Sequence, residues 1–303
     1  MTSVLYDVPG PRAILRNRII GAITILVILG LLAFTVYRFA STGQFSAAKW
    51  YVFSFASVWE GIATALGATL AAFGAAAVGS LILGFILAIG RLSDHAAVRV
   101  PVAWITEIFR AVPVLVFMML LFYGLPYVGV RMPPYWAVVI ALVVYNGSVL
   151  AEALRAGVES LPRGQREAAY AVGLRKSGVM RLVLLPQAVR AMLPVIVAQL
   201  VVTLKDTALG FIITYPELLY YAKLLMGQSG RPIIPSIIVI GSIYIAMCLL
   251  LSWFARWLEK RTRRSPKIPP NVTRADVATH DITQTQLIAT QNTGYDPSKP
   301  SRR

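Results

Sequence analysis

The longest charge-free stretch in the chain covers residues 61–90 and consists mainly of Ala, Leu, Ile and Gly. An α-helix needs about 20 apolar residues to cross the hydrocarbon core of a bilayer. This stretch exceeds that length, so its first turns are expected at the membrane interface. Hydrophobic residues make up 57% of the chain and charged residues 14%, whereas soluble domains carry about 25% charged residues. The composition therefore predicts a membrane protein and excludes an ordinary soluble domain.

Six apolar stretches predict six membrane-spanning helices. The first follows a basic N-terminal segment, is too long for the core of a signal peptide, and is expected to remain as a transmembrane helix. The fifth contains Pro194, which lacks a backbone donor and is expected to interrupt and kink its helix. The predicted spans cover residues 19–39, 61–90, 111–130, 134–150, 188–204 and 233–255.

Small and polar residues within these spans predict contacts between helices. Small residues spaced four apart in the second span share one helix face, which permits close approach of another helix. Asn146 and Ser148, near the end of the fourth span, are expected to form hydrogen bonds between helices rather than to bind substrate. An amphipathic piece at 217–226 follows the fifth span, and its neighbouring tyrosines are expected at the membrane interface. The four small residues are Gly67, Ala71, Ala75 and Gly79, and the tyrosines are Tyr215, Tyr220 and Tyr221.

The distribution of basic residues predicts the topology. With the N-terminus inside and six spans, 23 of the 29 Lys and Arg residues lie on the cytoplasmic side and 6 lie outside. Basic loops favour the cytoplasm. Residues 1–18, the loop over 152–190 and the C-terminal segment are therefore expected to be cytoplasmic. The tail over 265–303 is rich in Thr, Gln, Asn and Pro and is predicted to be disordered.

A compact charged segment lies in the loop after the fourth predicted span. Residues 159–173 predict a short helix–turn–helix, because Pro162 suits a first helical turn, Gly164 suits a sharp turn, and Gln165 to Val172 favour a helix. Small residues in its middle leave the backbone accessible, and charged residues flank them. This pattern favours docking of a partner rather than catalysis. The small residues are Ala168, Ala169 and Gly173, and the flanking residues are Arg163, Arg166 and Glu167.

The same loop resembles the signature of membrane permeases of ATP-binding-cassette importers, in the branch that imports polar amino acids such as histidine, glutamine and glutamate. Its E-A-A…G motif is matched by Glu167, Ala168, Ala169 and Gly173. The sequence departs from the branch at Ala208, where serine is usual, and at Ala111 and Val112, which replace Gly-Thr. The resemblance covers about residues 60–260. Further matching residues are Gly164, Gln165, Pro186, Gln187, Arg190, Lys205, Asp206, Thr207 and the F-R-A-V-P run at 109–113.

The resemblance implies an all-α integral membrane protein with the five-helix core of a type I importer permease over 60–260, preceded by one extra transmembrane helix at 19–39. It implies a cytoplasmic coupling helix within the loop 152–187. The implied coupling residues are Gly164, Gln165, Glu167, Ala168, Ala169 and Gly173. The implied substrate-pathway residues are Arg110, Pro113, Lys205, Asp206 and Thr207.

The resemblance also implies partners in the plasma membrane of a prokaryote. They are a cytoplasmic ATPase dimer, a second permease that is more often homologous than identical, an extracytoplasmic amino-acid-binding protein, and membrane lipid. The chain contains no G-x-x-x-x-G-K-S/T phosphate loop, so a separate subunit is expected to bind ATP. No cofactor and no metal site are expected, because His95, His280 and Cys248 lie far apart. As a whole, the chain most resembles a glutamate permease.

Three alternatives remain at this point. A secondary transporter or channel would need no ATPase, but ion-coupled carriers place ionisable residues inside their spans, and the cores of the predicted spans are free of charge. A membrane enzyme would need a catalytic constellation, and no such grouping occurs. Nucleic-acid binding would explain the net charge of +16, but the basic residues lie in loops rather than on one soluble face. Copurification with an ATPase separates the permease from these alternatives.

Overall fold

The computed structural model describes residues 10–228 and 230–262. Within them the chain is helical apart from short connections and contains no strand, which confirms the all-α fold class. The predicted disordered tail at 265–303 and the first nine residues of the predicted cytoplasmic N-terminus lie outside the described residues.

Helices of the described segments are labelled in chain order. The first group is α1 Pro11–Ser41, α2 Ala56–Arg91, α3 Ala96–Ala111 and α4 Val114–Val128, with short turns at Ala47–Trp50 and Tyr51–Ser54. The second group is α5 Pro134–Glu159, α6 Arg163–Ala171, α7 Lys176–Ile213, α8 Leu218–Met226 and α9 Ile233–Thr262. Helix α4 passes from α-helix through π-helix to 3-10 helix, and α7 contains a π-helical turn and ends as a 3-10 helix.

In the described part of the chain, five helices are long and apolar enough to cross a membrane: α1, α2, α5, α7 and α9. Helices α3 and α4 together form a sixth candidate, bent by 94° at their junction. The third span was predicted over 111–130, and α4 lies within these residues, but the bend at its start was not predicted. Val112 precedes Pro113 and adopts an extended conformation (φ −80°, ψ 123°), because the proline ring disfavours a helical residue before it.

The fourth and fifth spans are longer than predicted. Helix α5 continues to Glu159, and α7 begins at Lys176, so the connection between them shrinks to residues 160–175.

The predicted interruption at Pro194 is wrong, since the helix runs through this residue. Its position inside a helix that packs on α5 is tolerated because neighbouring groups can compensate for the lost donor.

The centre of the bundle forms where α2 packs along α5 and α5 along α7. The predicted face of small residues in α2 is confirmed in part. Ala75 and Gly79 pack toward α5, where a Cβ built on Gly79 would lie 2.5 Å from the side chain of Val143, whereas Gly67 and Ala71 are exposed. The buried stripe contains Ala65, Thr69, Ala72, Ala76, Ser80 and Gly84. A Cβ atom built on Gly84 would lie 2.8 Å from the Cβ of Leu150 and 3.0 Å from the carbonyl oxygen of Gly147. Gly84 therefore marks the closest contact of this stripe with the backbone of α5.

Replacing Gly84 with alanine is expected to lower the free energy of unfolding by about 1–3 kcal/mol, because the added methyl group meets backbone that has little room to move. Thermal unfolding of the purified chain in detergent measures this loss. Gly67→Ala is the matched control, since nothing lies within 4 Å of a Cβ at that exposed position. Equal melting temperatures for the two variants would contradict the close contact between α2 and α5.

Candidate functional site

Helix α6 has one face packed on the bundle and the other open to solvent. Ala169 is buried among Val158, Val179 and Leu184, which belong to α5 and α7. Its neighbour Ala168 is exposed. The two alanines were predicted to share one docking face, but successive residues of a helix point in different directions. Ala169 therefore anchors α6, and Ala168 lies on the surface that a partner can reach.

Gly173 ends this segment through its backbone. Its φ is +81°, a left-handed conformation that side chains disfavour and glycine adopts freely. The amide of Gly173 donates to the carbonyl oxygen of Tyr170 at 2.9 Å, and that of Leu174 donates to Ala169 at 3.2 Å. This is a helix C-terminal cap. Gly173 therefore has a structural role, because its left-handed conformation turns the chain from α6 toward α7.

The remaining predicted coupling residues lie on the exposed surface of α6. Gly164, Gln165 and Glu167 are all exposed. The side-chain amide of Gln187 donates to Oε1 of Gln165 at 3.4 Å and to the carbonyl oxygen of Val183 at 2.9 Å. Two glutamines thus connect α6 to the first turns of α7. The predicted residues form one continuous surface with Ala168, whereas Ala169 lies beneath it.

Beneath this surface, an ionic network connects three helices. Arg91 of α2 lies 3.1 Å from Glu107 of α3 and 3.1 Å from Glu152 of α5. Its side chain is only 12% exposed, so its charge requires these partners. Arg155 bonds both Glu152 and Glu159. The end of the bundle that carries α6 is therefore held together by charge as well as by apolar packing.

Arg91→Gln is expected to lower the free energy of unfolding by about 1–3 kcal/mol, because Glu152 keeps a partner in Arg155 but loses the one that reaches α2. Thermal unfolding in detergent is the measurement. Arg16→Gln removes the same charge from an exposed position in α1 and is expected to leave the melting temperature unchanged. If the network did not stabilise the bundle, the Arg91→Gln and Arg16→Gln variants would melt at the same temperature.

The predicted pathway residues form two groups, the first around the α3–α4 bend and the second near the end of α7. Arg110 lies 3.4 Å from Glu107 and thus beside the Arg91 network, while Pro113 begins α4 at the bend. The segment after Thr207 contacts Val138, near the start of α5. Val138 and Glu152 are 14 residues apart in α5, which corresponds to about 20 Å along a helix. Arg110 is therefore separated from Thr207 along the bundle, whereas Pro113 begins a helix, α4, that packs against the 3-10 segment starting at Thr207.

Within the second group, consecutive residues point in different directions. Lys205 is exposed, Asp206 is partly buried and Thr207 is fully buried. The Thr207 hydroxyl donates to the carbonyl oxygen of Leu204 at 2.7 Å. These three residues mark the point where α7 changes from an α-helix to a 3-10 helix.

Polar residues inside the spans give one confirmed and one wrong prediction. The amide of Gln199 in α7 donates to Oδ1 of Asn146 in α5 at 2.6 Å, which confirms a hydrogen bond between helices at Asn146. Ser148 instead donates within its own helix, to the carbonyl oxygen of Val144 at 2.8 Å. The predicted contact between helices at Ser148 is therefore wrong.

Sequence reasoning missed a buried acidic residue, Glu217. Its carboxylate is 0% exposed and caps α8, accepting hydrogen bonds from the amides of Leu219 at 2.8 Å and Tyr220 at 2.7 Å. It also accepts one from the hydroxyl of Tyr244 in α9 at 2.6 Å. Tyr215, predicted at the interface, is buried at 4% exposure and donates to the carbonyl oxygen of Ala68. An acidic residue directly before a helical pattern is the signal for such a cap.

A bundle of membrane-length helices with a short, charged, exposed helix at one end defines a multi-span membrane protein. The chain belongs to the family of inner membrane components of binding-protein-dependent transport systems, whose model matches residues 80–264. Members of this family work with an ATP-binding-cassette ATPase and a substrate-binding protein. The chain is thus a transport component and not an enzyme.

Individual relatives confirm the resemblance to permeases of amino-acid importers. The chain is 36% identical over 228 residues to the glutamate transport system permease protein GluD of Corynebacterium glutamicum, covering 74% of this chain and 83% of GluD. It is 35% identical over 162 residues to a probable glutamine ABC transporter permease of Bacillus subtilis, covering 53% of this chain and 74% of that protein.

Solved structures share the fold. An amino acid ABC transporter crystallised with histidines superposes with a TM-score of 0.64 at 28% identity, covering 69% of this chain and 97% of that one. The MetNI methionine ABC transporter, in an inward-facing form, gives a TM-score of 0.53 at 19% identity over 68% of this chain and 94% of that one. The similarity to the MetNI transporter shows only that the two chains share a fold.

Proposed function

We propose that this chain is the permease subunit of an ATP-driven importer and that its amino acid is glutamate. The observation that carries the proposal is the 36% identity to a glutamate permease over 74% of the chain. The exposed α6 supports the mode of action, because it offers a soluble subunit a small, charged surface that the bundle holds firmly.

In this proposal the coupling surface consists of the exposed residues of α6 together with the turn at Gly173. A cytoplasmic ATPase dimer binds ATP and docks on this surface, and each hydrolysis cycle moves the bundle through α6. Ala169 transmits the movement, since it is packed between α5 and α7. The coupling residues are Gly164, Gln165, Glu167, Ala168 and Gly173, with Ala169 as the anchor.

A second permease chain, homologous rather than identical, completes the pathway, and an extracytoplasmic binding protein delivers the amino acid. Both termini lie in the cytoplasm, and the protein crosses the plasma membrane of a prokaryote six times, with α3 and α4 as one broken span. Discontinuous helices of this kind are where transporters place substrate sites. Arg110 and Pro113 at the break, and Lys205, Asp206 and Thr207 at the end of α7, are the proposed pathway residues.

Uptake in a deletion strain tests the substrate. Cells lacking the gene and cells carrying it on a plasmid are compared for uptake of labelled glutamate, glutamine, aspartate and arginine. We expect restored uptake of glutamate, and inhibition of that uptake by unlabelled glutamate more than by the other three. Restored uptake of a different amino acid would overturn the glutamate proposal but not the permease. Uptake that survives depletion of ATP at a maintained ion gradient would instead favour a secondary transporter.

A further inference from the structure

A basic cleft lies between the end of the bundle and α6. Its deeper part has a volume of about 310 Å³ and is lined by residues from the α2–α3 connection, the end of α5, α6 and the start of α7. A second part of about 280 Å³ shares Arg91, Arg99 and Glu159 with the first and extends along α3. We call the two parts together the α3–α6 cleft.

Most of the charges in this cleft have partners on the protein. Arg91 bonds two carboxylates, as described above, and Glu159 bonds Arg155. Lys176 bonds Asp94. The Lys176 hydrogen bond lowers the pKa of the Asp94 carboxyl, against a smaller opposing effect of desolvation, so that this group is ionised at neutral pH. Within each pair the opposite charges neutralise each other, so any net charge of the cleft comes from its remaining cations.

Two cations of the cleft have no such partner among the described residues. Arg99 in α3 and Arg166 in α6 both line the cleft and are exposed. No carboxylate of residues 10–228 or 230–262 lies within salt-bridge distance of either guanidinium. Guanidinium groups match the geometry of phosphate oxygens and bind them through paired hydrogen bonds. The cleft therefore has a surplus of positive charge in the form best suited to a phosphate group.

The outer part of the cleft is apolar. Val100, Ala103 and Trp104 of α3 line it beside Arg99. Trp104 is 67% exposed and Val100 is 47% exposed. The amphipathic helix α3 also exposes Val98, Ile105 and Ile108, whereas Val102 packs inward on α2. Tryptophan and amphipathic helices favour the membrane–water interface. A ligand in this cleft would therefore contact cations with one end and apolar side chains with the other.

We propose that the α3–α6 cleft binds the headgroup of an anionic glycerophospholipid, with the phosphate between Arg99 and Arg166 and the acyl chains along Val100 and Trp104. Basic clefts between helices at the membrane surface bind such headgroups. Because Arg166 belongs to α6 and Arg99 to α3, a bound lipid connects the docking helix to the membrane-facing helix. The lipid would thus help to hold α6 in its position on the bundle.

The full chain, with the subunits that copurify with it, is exposed in detergent to phosphatidylglycerol or to phosphatidylcholine, and the retained lipid is measured by native mass spectrometry. The wild type is expected to retain phosphatidylglycerol preferentially. Arg99→Gln and Arg166→Gln are each expected to weaken this retention about fivefold, the effect of one basic residue near an anionic surface. Arg16→Gln, an exposed arginine outside the cleft, should retain lipid like the wild type.

Equal retention of both lipids by the wild type, or unchanged retention in both cleft variants, would overturn the proposal. A third arm adds inorganic phosphate to the protein in phosphatidylcholine and follows the melting temperature. Stabilisation by phosphate that matches the effect of phosphatidylglycerol and disappears in Arg99→Gln would assign the cleft to a soluble phosphate instead. None of these measurements depends on transport, so their failure is distinct from a failure of the glutamate proposal.

Discussion

Ala168→Trp is expected to give a normally inserted chain that no longer holds its ATPase. Ala168 is exposed on α6, so an indole at this position changes the docking surface without entering the bundle. Overfilling a well-packed contact costs about 1–3 kcal/mol, and each 1.4 kcal/mol is about a tenfold change in an equilibrium constant. We therefore expect ATPase copurification and substrate-stimulated ATP hydrolysis to fall about tenfold, with the melting temperature of the chain preserved.

The neighbouring residue provides a control that separates docking from folding. Ala169→Trp places the same indole in the buried cluster of Val158, Val179 and Leu184, so both stability and ATPase binding should be lost. Ala168→Ser keeps a small side chain and should behave like the wild type. Wild-type copurification and hydrolysis with Ala168→Trp would refute the assignment of α6 as the docking helix.

Reversing the charge at Glu167 tests the rim of the same surface. Glu167→Lys is expected to weaken ATPase binding by less than Ala168→Trp, because exposed ion pairs contribute only about 0–1 kcal/mol. The loss should shrink as the salt concentration rises, since salt screens exposed charges. An effect that is independent of salt would show that Glu167 acts through its shape rather than its charge.

The sequence was sufficient to predict the features that depend on local chemistry. Long charge-free stretches predicted the spans, and Pro162 and Gly173 lie within two residues of the ends of α6. The turn predicted at Gly164 is wrong, because this residue lies within the helix. These signals work because each depends on a property of the residue itself: the cost of burying charge in lipid, the fixed φ of proline and the left-handed freedom of glycine. The motif that extends across α6 then indicated the family, which the comparisons confirmed.

Features that depend on the direction of a helix or of a side chain were predicted less well. Hydropathy averages over a window and contains no information on where a helix turns, so the 94° bend before α4 was missed, although Pro113 was available as its local cause. The face of α2 that packs on α5 was predicted only in part, with Ala75 and Gly79 on it, because small residues occur on every side of this helix and composition cannot rank them. The glycine that meets the α5 backbone is Gly84, whereas Gly67 has open space beside it. Separating Ala168 from Ala169 likewise requires knowledge of what lies beneath α6.

Glu217 illustrates the largest omission, because it lies in the connection before α8, where an acidic residue is expected to be solvated. In the structure this connection folds back into the protein, so its acidic residue is fully buried. A buried carboxylate must be hydrogen-bonded or neutralised. Here two backbone amides and one hydroxyl provide those bonds, and they come from α8 and from α9. Glu217 thus joins the last span to the helix that precedes it.

Glu217→Ala is expected to lower the free energy of unfolding by about 2–5 kcal/mol. The substitution removes the N-terminal cap of α8 and leaves the Tyr244 hydroxyl and two amides without their acceptor in a buried site, where each unsatisfied group is costly. Neighbouring apolar residues such as Leu218 and Ile240, which pack together between α8 and α9, cannot replace these bonds. Thermal unfolding in detergent and the yield of assembled complex measure the loss.

Four further variants test whether the loss comes from the hydrogen bonds of Glu217. Glu217→Gln keeps an acceptor for the amides and should lose less than Glu217→Ala, while Tyr244→Phe removes one donor and should cost about 0.5–1.5 kcal/mol. Because both residues belong to one bond, Tyr244→Phe should cost less in the Glu217→Ala background than in the wild type. Glu60→Ala removes an exposed carboxylate from α2 and should have no effect. If Glu217→Ala melted at the wild-type temperature, or if the two losses were simply additive, the carboxylate would not be the connection between α8 and α9, and the apolar cluster alone would have to hold the last span in place.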